Sequence, residues 1–320
     1  MRLRSLGKVV FLLVLAPVSS FCADTSEAFA ALQHGRVDQA EKSLRSTLSA
    51  NPRDAQAHQL LCRVFYTQDR GSDAVRECEA AVAAAPNDSV SIDWLGRAYG
   101  LKASHVNPLS AFSLAKKVRS TFERAVQADP NNLDALIDLG QFLVDAPSIA
   151  GGDIDRARQL AATMAPHFAA KSHRLLAQIA AKNHDNVTAE TEFKAAVNAG
   201  HSPDAYTDLA LFYQTHNQPD KALASVRDAI RADRAHGPAL VDAASILIDA
   251  HRAPELAEQA LRDYLASSAQ SDEAPVFRVR VKLGKLLAAR GDQAAAQREF
   301  AAALALASNY GPAREAMKGA

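Results

Sequence analysis

The sequence predicts an all-α fold, a superhelical solenoid of about eight helix-turn-helix units. Three observations predict it. Hydrophobic residues make up 48 % of the 320-residue chain but aromatic residues only 6 %, and alanine is abundant throughout. That mixture suits closely packed helices and gives strands little to use. A large residue followed by a small one recurs along the chain, with the small site filled by Ala28, Cys62, Gly96, Gly140, Ala177, Ala210, Ala244 and Gly284. Several units then close on a proline, in Asn51-Pro52, Ala85-Pro86 and Asp129-Pro130, where the ring stops a helix and turns the chain.

The first helix of each unit is marked by the large residue ahead of the small site, as in Leu61, Leu95, Leu139, Leu176, Leu209 and Leu283. Only a small side chain there lets a second helix approach. The second helix carries its own small site at Ala40, Ala74, Ala157, Ala189, Ala222, Ala257 and Ala296. An apolar residue such as Leu44, Phe193 or Phe300 follows one turn on, giving one buried face. One such hairpin cannot bury its apolar face alone, whereas stacked hairpins share a continuous core.

Two units depart from the pattern. Relative to a period of about 34 residues, the third carries about ten extra between Tyr99 and Phe122, and the fourth about five extra around Ala146 to Gly152. Helical register from Ser113 to Phe122 predicts a loop over Lys102 to Ser110 and then a lengthened second helix. The pair Gly151-Gly152 permits a tight turn, with Asp153 capping the next helix. The unit ending near Arg234 lacks its proline, and the one after Leu240 is ragged.

Joint recurrence of these small, large and proline positions resembles the tetratricopeptide repeat, most fully where Leu95, Gly96, Tyr99, Phe122, Ala125 and Pro130 fall together. The resemblance covers almost the whole chain after residue 23 and implies a right-handed superhelix with a concave groove. Its approximate units are 24–54, 55–88, 89–132, 133–169, 170–202, 203–236, 237–272 and 273–310, with a tail at 311–320. It implies no specific activity or cofactor. In such repeats the inner face of each first helix lines the groove, which here selects Arg63, Asp93, Trp94, Arg97, Gln141, Arg174 and Gln178. Arg63 and Arg97, at equivalent positions of adjacent units, are expected to offer two guanidinium forks to a carboxylate, with Trp94 as an aromatic anchor beside them. Chaperone-binding relatives clamp a terminal carboxylate with asparagines that this chain lacks.

The leader is of another kind. Arg2, Arg4 and Lys8 precede an apolar run from Val9 to Val18, and Ser19, Ser20 and Ala23 follow, so residues 1–23 read as a signal peptide. The run is broken by Pro17 and falls far short of the roughly twenty residues a membrane span needs. A lipoprotein reading would acylate Cys22, but Phe21 is bulky where a bacterial lipobox takes a small residue. The expected location is periplasmic or secreted. Cleavage there leaves Cys62 and Cys78, on opposite helices of one unit at similar heights from the turn; a bridge and two buried thiols both fit the spacing.

Charge and motif content narrow the function. Lys+Arg and Asp+Glu stand at 36 each, so no positive excess attracts nucleic acid or an anionic membrane. Among the ten histidines no pair sits three or four residues apart, so no single helix presents two imidazoles to a metal. His34, His184, His216 and His251 fall at equivalent turns, where a solvated ring is the simplest reading. Gly151-Gly152 lacks the Lys-Ser/Thr of a phosphate loop, and Asp204 with Asp208 reads as a solvated helix face. The expectation is a scaffold, not an enzyme, that holds a protein or extended peptide without a cofactor. The alternatives are an accessory subunit of an envelope export, assembly or solute-uptake machine, and an enzyme whose site is assembled across repeats.

Overall fold

A computed structural model of the protein describes residues 20–319. The leader expected over residues 1–23 lies outside them apart from its last four residues. Among the described residues there are helices and turns but no strand. The helices pair in chain order: α1 (Ser20–Gln33) with α2 (Val37–Ala50), α3 (Ala55–Thr67) with α4 (Gly71–Ala84), α5 (Ser89–Ala103) with α6 (Pro108–Ala128), and α7 (Leu133–Asp145) with α8 (Ile154–Met164). Then follow α9 (Ala169–Lys182) with α10 (Asn186–Gly200), α11 (Pro203–Thr215) with α12 (Pro219–Ala232), α13 (Pro238–Asp249) with α14 (Pro254–Ala266), and α15 (Val276–Ala289) with α16 (Gln293–Leu306). A last helix, α17 (Gly311–Gly319), packs on α16 and α15. Each helix packs mainly on its neighbours in sequence, as a helical solenoid requires.

Local chemistry explains the punctuation. Two residues after Pro52, Pro86 and Pro130 stand Asp54, Asp88 and Asn132, whose side chains accept from the backbone N–H groups of Ala57, Ser91 and Ala135 at 2.9, 3.0 and 3.2 Å. The proline therefore ends one pair, and the cap satisfies an orphan donor of the next. Within pairs, the second residue past the first helix adopts a left-handed backbone in six of the turns: Gly35, Asp69, His184, Asn217, His251 and Gly291. The following N–H reaches back five residues to a carbonyl, for example Arg36 to Ala31 at 2.8 Å and Asp185 to Ala180 at 2.9 Å, closing the helix end. Two of the four turn histidines thus serve as backbone corners. The other two have side-chain partners: His34 meets Gln270 at 2.9 Å, and His216 lies on Phe212 with ring centroids 4.2 Å apart.

The small sites do what their size allows. A Cβ on Gly96 would stand 2.4 Å from the Phe122 ring, one on Gly284 2.4 Å from Phe300, and one on Gly140 2.9 Å from Leu175. In the third unit the insert lengthens helices rather than a loop. The expected loop at Lys102 to Ser110 shrinks to residues 104–107, because Asn107 accepts from the Ser110 N–H at 3.1 Å and Pro108 starts α6 at once. In the fourth, a single 3-10 turn (Ser148–Ala150) precedes Gly151, whose φ is +111°, and Gly152, where a Cβ would fall 1.9 Å from the Ala146 carbonyl oxygen. Asp153 caps α8 through the Arg156 N–H at 3.0 Å. Cys62 and Cys78 are disulfide-bonded across α3 and α4, with Cα atoms 5.3 Å apart and both side chains buried.

The array also turns far enough to touch itself. The Gln33 amide donates to Asp272 at 2.8 Å, Arg278 donates to the Thr67 carbonyl at 2.7 Å and to Asp69 at 2.6 Å, and the Ser308 N–H donates to Asp38 at 2.9 Å. These contacts join the first two pairs to the segment 267–275 and the last pair. No helix among the described residues is long and apolar enough to cross a membrane.

Candidate functional site

The first helices supply most of the inner face, with α6 adding Val118 and Phe122 and α10 adding Phe193. Two connected hollows run along it. One, about 940 Å³, lies between α3, α5, α6 and α7 and is bordered by Asp272 and Glu273. The other, about 370 Å³, lies over α7, α9 and α11 and shares Gln141 and Asp145 with the first. Their apolar surface comes from Tyr66, Val118, Phe122, Phe142, Val144, Leu211 and Phe212.

The structure gathers four of the sequence-selected residues, Arg63, Asp93, Trp94 and Arg97, into one cluster. Trp94 is only 7 % exposed, sandwiched between the guanidiniums of Arg63 and Arg97 at 4.8 and 4.7 Å from its ring, with Tyr66 edge-on at 5.4 Å. It therefore spaces the two cations rather than projecting as an anchor. The two guanidinium forks are not open either. Arg63 grips Asp272 through Nε at 2.8 Å and Nη2 at 2.7 Å, and Arg97 bonds Asp93 at 3.1 Å and also Asp138. A helix-face count cannot anticipate this, because Asp272 arrives from 209 residues away.

The other three selected residues form a second group. Arg174 donates to Asp208 at 2.7 Å, so Asp208 is an ion-pair partner rather than part of a solvated face. Gln178 donates to Gln141 at 2.7 Å, and Gln141 to Asp145 at 2.5 Å. Sequence reasoning missed Gln33, Asp138, Asp242, Asp272 and Glu273. Asp138 could have been found, since it sits one turn past Asp134 on a helix whose Gln141 was already selected.

Electrostatics give the hollow an acidic bias once the arginines are matched. Burial first, and then repulsion from Asp138, push the Asp93 carboxyl up to about 8. Burial likewise raises Asp138. Two carboxyls therefore crowd one guanidinium, and burial biases Asp93 towards its neutral form. On α13, partial desolvation first and then repulsion from Asp204 and Asp208 push Asp242 up to about 6. Enclosure, and then repulsion from Asp134, raises Glu273 as well.

A pH dependence follows from Asp93. Its folded pKa lies above the unfolded value, so between about pH 4 and pH 8 the folded state binds more protons and stability falls as pH rises. Asp93→Asn keeps the shape and removes the ionisation. At pH 9 the variant is expected to be more stable than wild type by on the order of 1–2 kcal/mol, with no gain at pH 4. Denaturant titrations at the two pH values check this; a constant difference would refute the assignment.

Among the described residues, no group of three or more His, Cys, Asp or Glu side chains is placed to hold a metal ion. The inner face offers hydrogen bonds, fixed ion pairs and apolar surface, which is the chemistry of binding.

Comparisons agree with this architecture. A family model described as tetratricopeptide repeat matches residues 31–91, from the end of α1 to the start of α5. No curated protein sequence matches the chain. Among solved structures, yeast Tom70 superposes with a TM-score of 0.56 at 17 % identity, over 98 % of this chain and 66 % of that one. PilW, a type IV pilus biogenesis factor, does so with a TM-score of 0.50 at 14 % identity, over 68 % of this chain and 94 % of that one. A thermophilic TPR protein of Thermus thermophilus gives 0.48 at 17 % identity, over 72 % and 100 %. The two superpositions at 0.50 and above, at these identities, concern the fold alone.

Proposed function

We propose that the chain, whose residues 31–91 match the tetratricopeptide-repeat model, is an exported adaptor that holds a protein or extended peptide in its inner hollow without turnover. Proteins of this architecture generally bind polypeptides rather than transform small substrates. The observation that carries the reading is the pair of connected hollows, in which half-buried guanidinium–carboxylate pairs alternate with apolar side chains. Fixed ion pairs present oriented donors and acceptors, and apolar side chains between them supply area to bury. Leu211 is half exposed within the second hollow and is the obvious apolar contact for a ligand.

Export is supported by the leader's charge and apolar pattern and by the Cys62–Cys78 bridge, which belongs to oxidising compartments. Affinity capture from an envelope fraction tests both parts of the proposal. The mature chain is expected to retain a partner that Leu211→Glu loses, with helicity and melting unchanged. Equal capture by both proteins would remove the hollow as the binding site.

A further inference from the structure

The seam where the superhelix touches itself is unlike every other interface in the molecule. Neighbouring pairs meet along whole helices, but no helix of α1 to α4 packs lengthwise on any of α13 to α17. What joins them is a set of point contacts: polar ones from the irregular segment 267–275, which connects α14 to α15, and from Arg278 and Ser308, and the packing of the Gly35 backbone against Val276. Asp272 of that segment is 5 % exposed and is held by both Arg63 and Gln33. Beside it, Arg278 at the start of α15 reaches Thr67 and Asp69 in the turn of the second pair. A Cβ on Gly35 would meet the Val276 Cβ at 2.8 Å, so only the bare backbone of the first turn lets α15 come this near.

The segment is itself held in shape from behind. The Tyr264 hydroxyl donates to the Ala274 carbonyl at 2.7 Å and accepts from the Ser271 N–H at 3.0 Å, while the Gln270 amide donates to the Leu265 carbonyl at 2.8 Å. Asp272 is thus presented to Arg63 by a preformed loop. Asp272 and Glu273 also line the larger hollow, so the contact that joins the ends of the superhelix borders the space that a ligand would occupy.

We propose that the segment 267–275 is a latch: Asp272 seated on Arg63 and Gln33, with Arg278 on the turn at Asp69, holds the superhelix closed, and release of these contacts swings the last pairs away from the first two and opens the hollow. A seam of a few directional contacts and one small packed point, without a lengthwise helix interface, separates as a unit while the core of each pair stays intact. Each opening breaks a buried charge pair, so the closed state dominates and the open one is a minority state for a ligand to select. The gating role rests on the proposed binding function; the opening motion does not.

Hydrogen exchange and small-angle scattering on the purified mature chain test the latch with two single variants, Asp272→Asn and Arg278→Gln, each checked for unchanged helicity. Exchange of the amides in 267–275 and in the turn at residues 67–69 is expected to quicken about tenfold or more in either variant, with α5 to α12 unaffected. The radius of gyration is expected to rise. Exchange within twofold of wild type, with superposable scattering, would overturn the proposal. Should Asp272→Asn fail to fold, Arg278→Gln, whose partners lie nearer the surface, decides alone. These readouts need no partner, so a static seam leaves the Leu211→Glu capture result standing, and a failed capture leaves the opening result standing.

Discussion

Reducing the Cys62–Cys78 bridge is expected to destabilise the second helix pair by about 3 kcal/mol, the entropy restored to an unfolded loop of this size. The two cysteines are 16 residues apart in sequence, and both sulfurs lie in the core between α3 and α4. Opposing this loss, two reduced thiols still fill the same space as small apolar groups, so no cavity term is added. The entropic term therefore decides the size of the effect. Because stability in a repeat array is a sum over neighbouring units, the loss appears locally first. Amides of α3 and α4 should exchange faster in reductant, while those of α9 to α12 keep their rates. Arg63 rides on α3, directly beside Cys62, so its grip on Asp272 should loosen with the pair. The measurement is denaturant unfolding with exchange, with and without reductant. Two free thiols titrating in the unreduced protein, together with identical midpoints, would show that the bridge contributes nothing.

Much of what is governed by short range is legible in the sequence. Gly96, Gly140 and Gly284 were selected as small sites, and each faces a ring or a branched side chain that leaves no room for a Cβ. The lengthened second helix of the third unit is legible from its register, but its start is set by the Asn107-Pro108 cap, which the hydrophobic period does not carry. Raggedness after Leu240 was seen without its meaning: the run between Ala266 and Val276 has no helical period because it makes the seam. Likewise, the missing proline near Arg234 is covered by Asp233, whose buried carboxylate accepts from the Gly237 N–H at 2.9 Å just ahead of Pro238. The functional residues were harder. Position on a helix face identified Arg63, Arg97 and Arg174 as inward, but whether an inward cation is free depends on carboxylates from other units. For Arg63 that carboxylate comes from the far end of the chain, and no local pattern carries it.

Substituting Gly96 with valine is expected to cost about 3 kcal/mol or more, near the upper end for overpacking a close-packed interior. The reason is geometric. Any Cβ there lands 2.4 Å from one atom of the Phe122 ring and 2.5 Å from the next. The ring is buried and sits on the long helix α6, so α5 and α6 must separate to relieve the overlap. Helix propensity works in the opposite direction, but removing a glycine from a helix interior gains only about 1 kcal/mol even for alanine and less for a β-branched residue. Gly100, one turn along the same helix, isolates that smaller term, since nothing stands within 4 Å of a Cβ there. Gly100→Ala is therefore expected to stabilise the chain by up to about 1 kcal/mol. Two glycines on one helix thus give changes of opposite sign, which propensity alone does not produce. Denaturant midpoints of the two variants decide; equal shifts would mean that α5 does not approach α6 as described. Because α5 also carries Asp93, Trp94 and Arg97, the shift of α5 forced by Gly96→Val should disturb the Asp93–Arg97–Asp138 group and weaken the pH dependence assigned to Asp93.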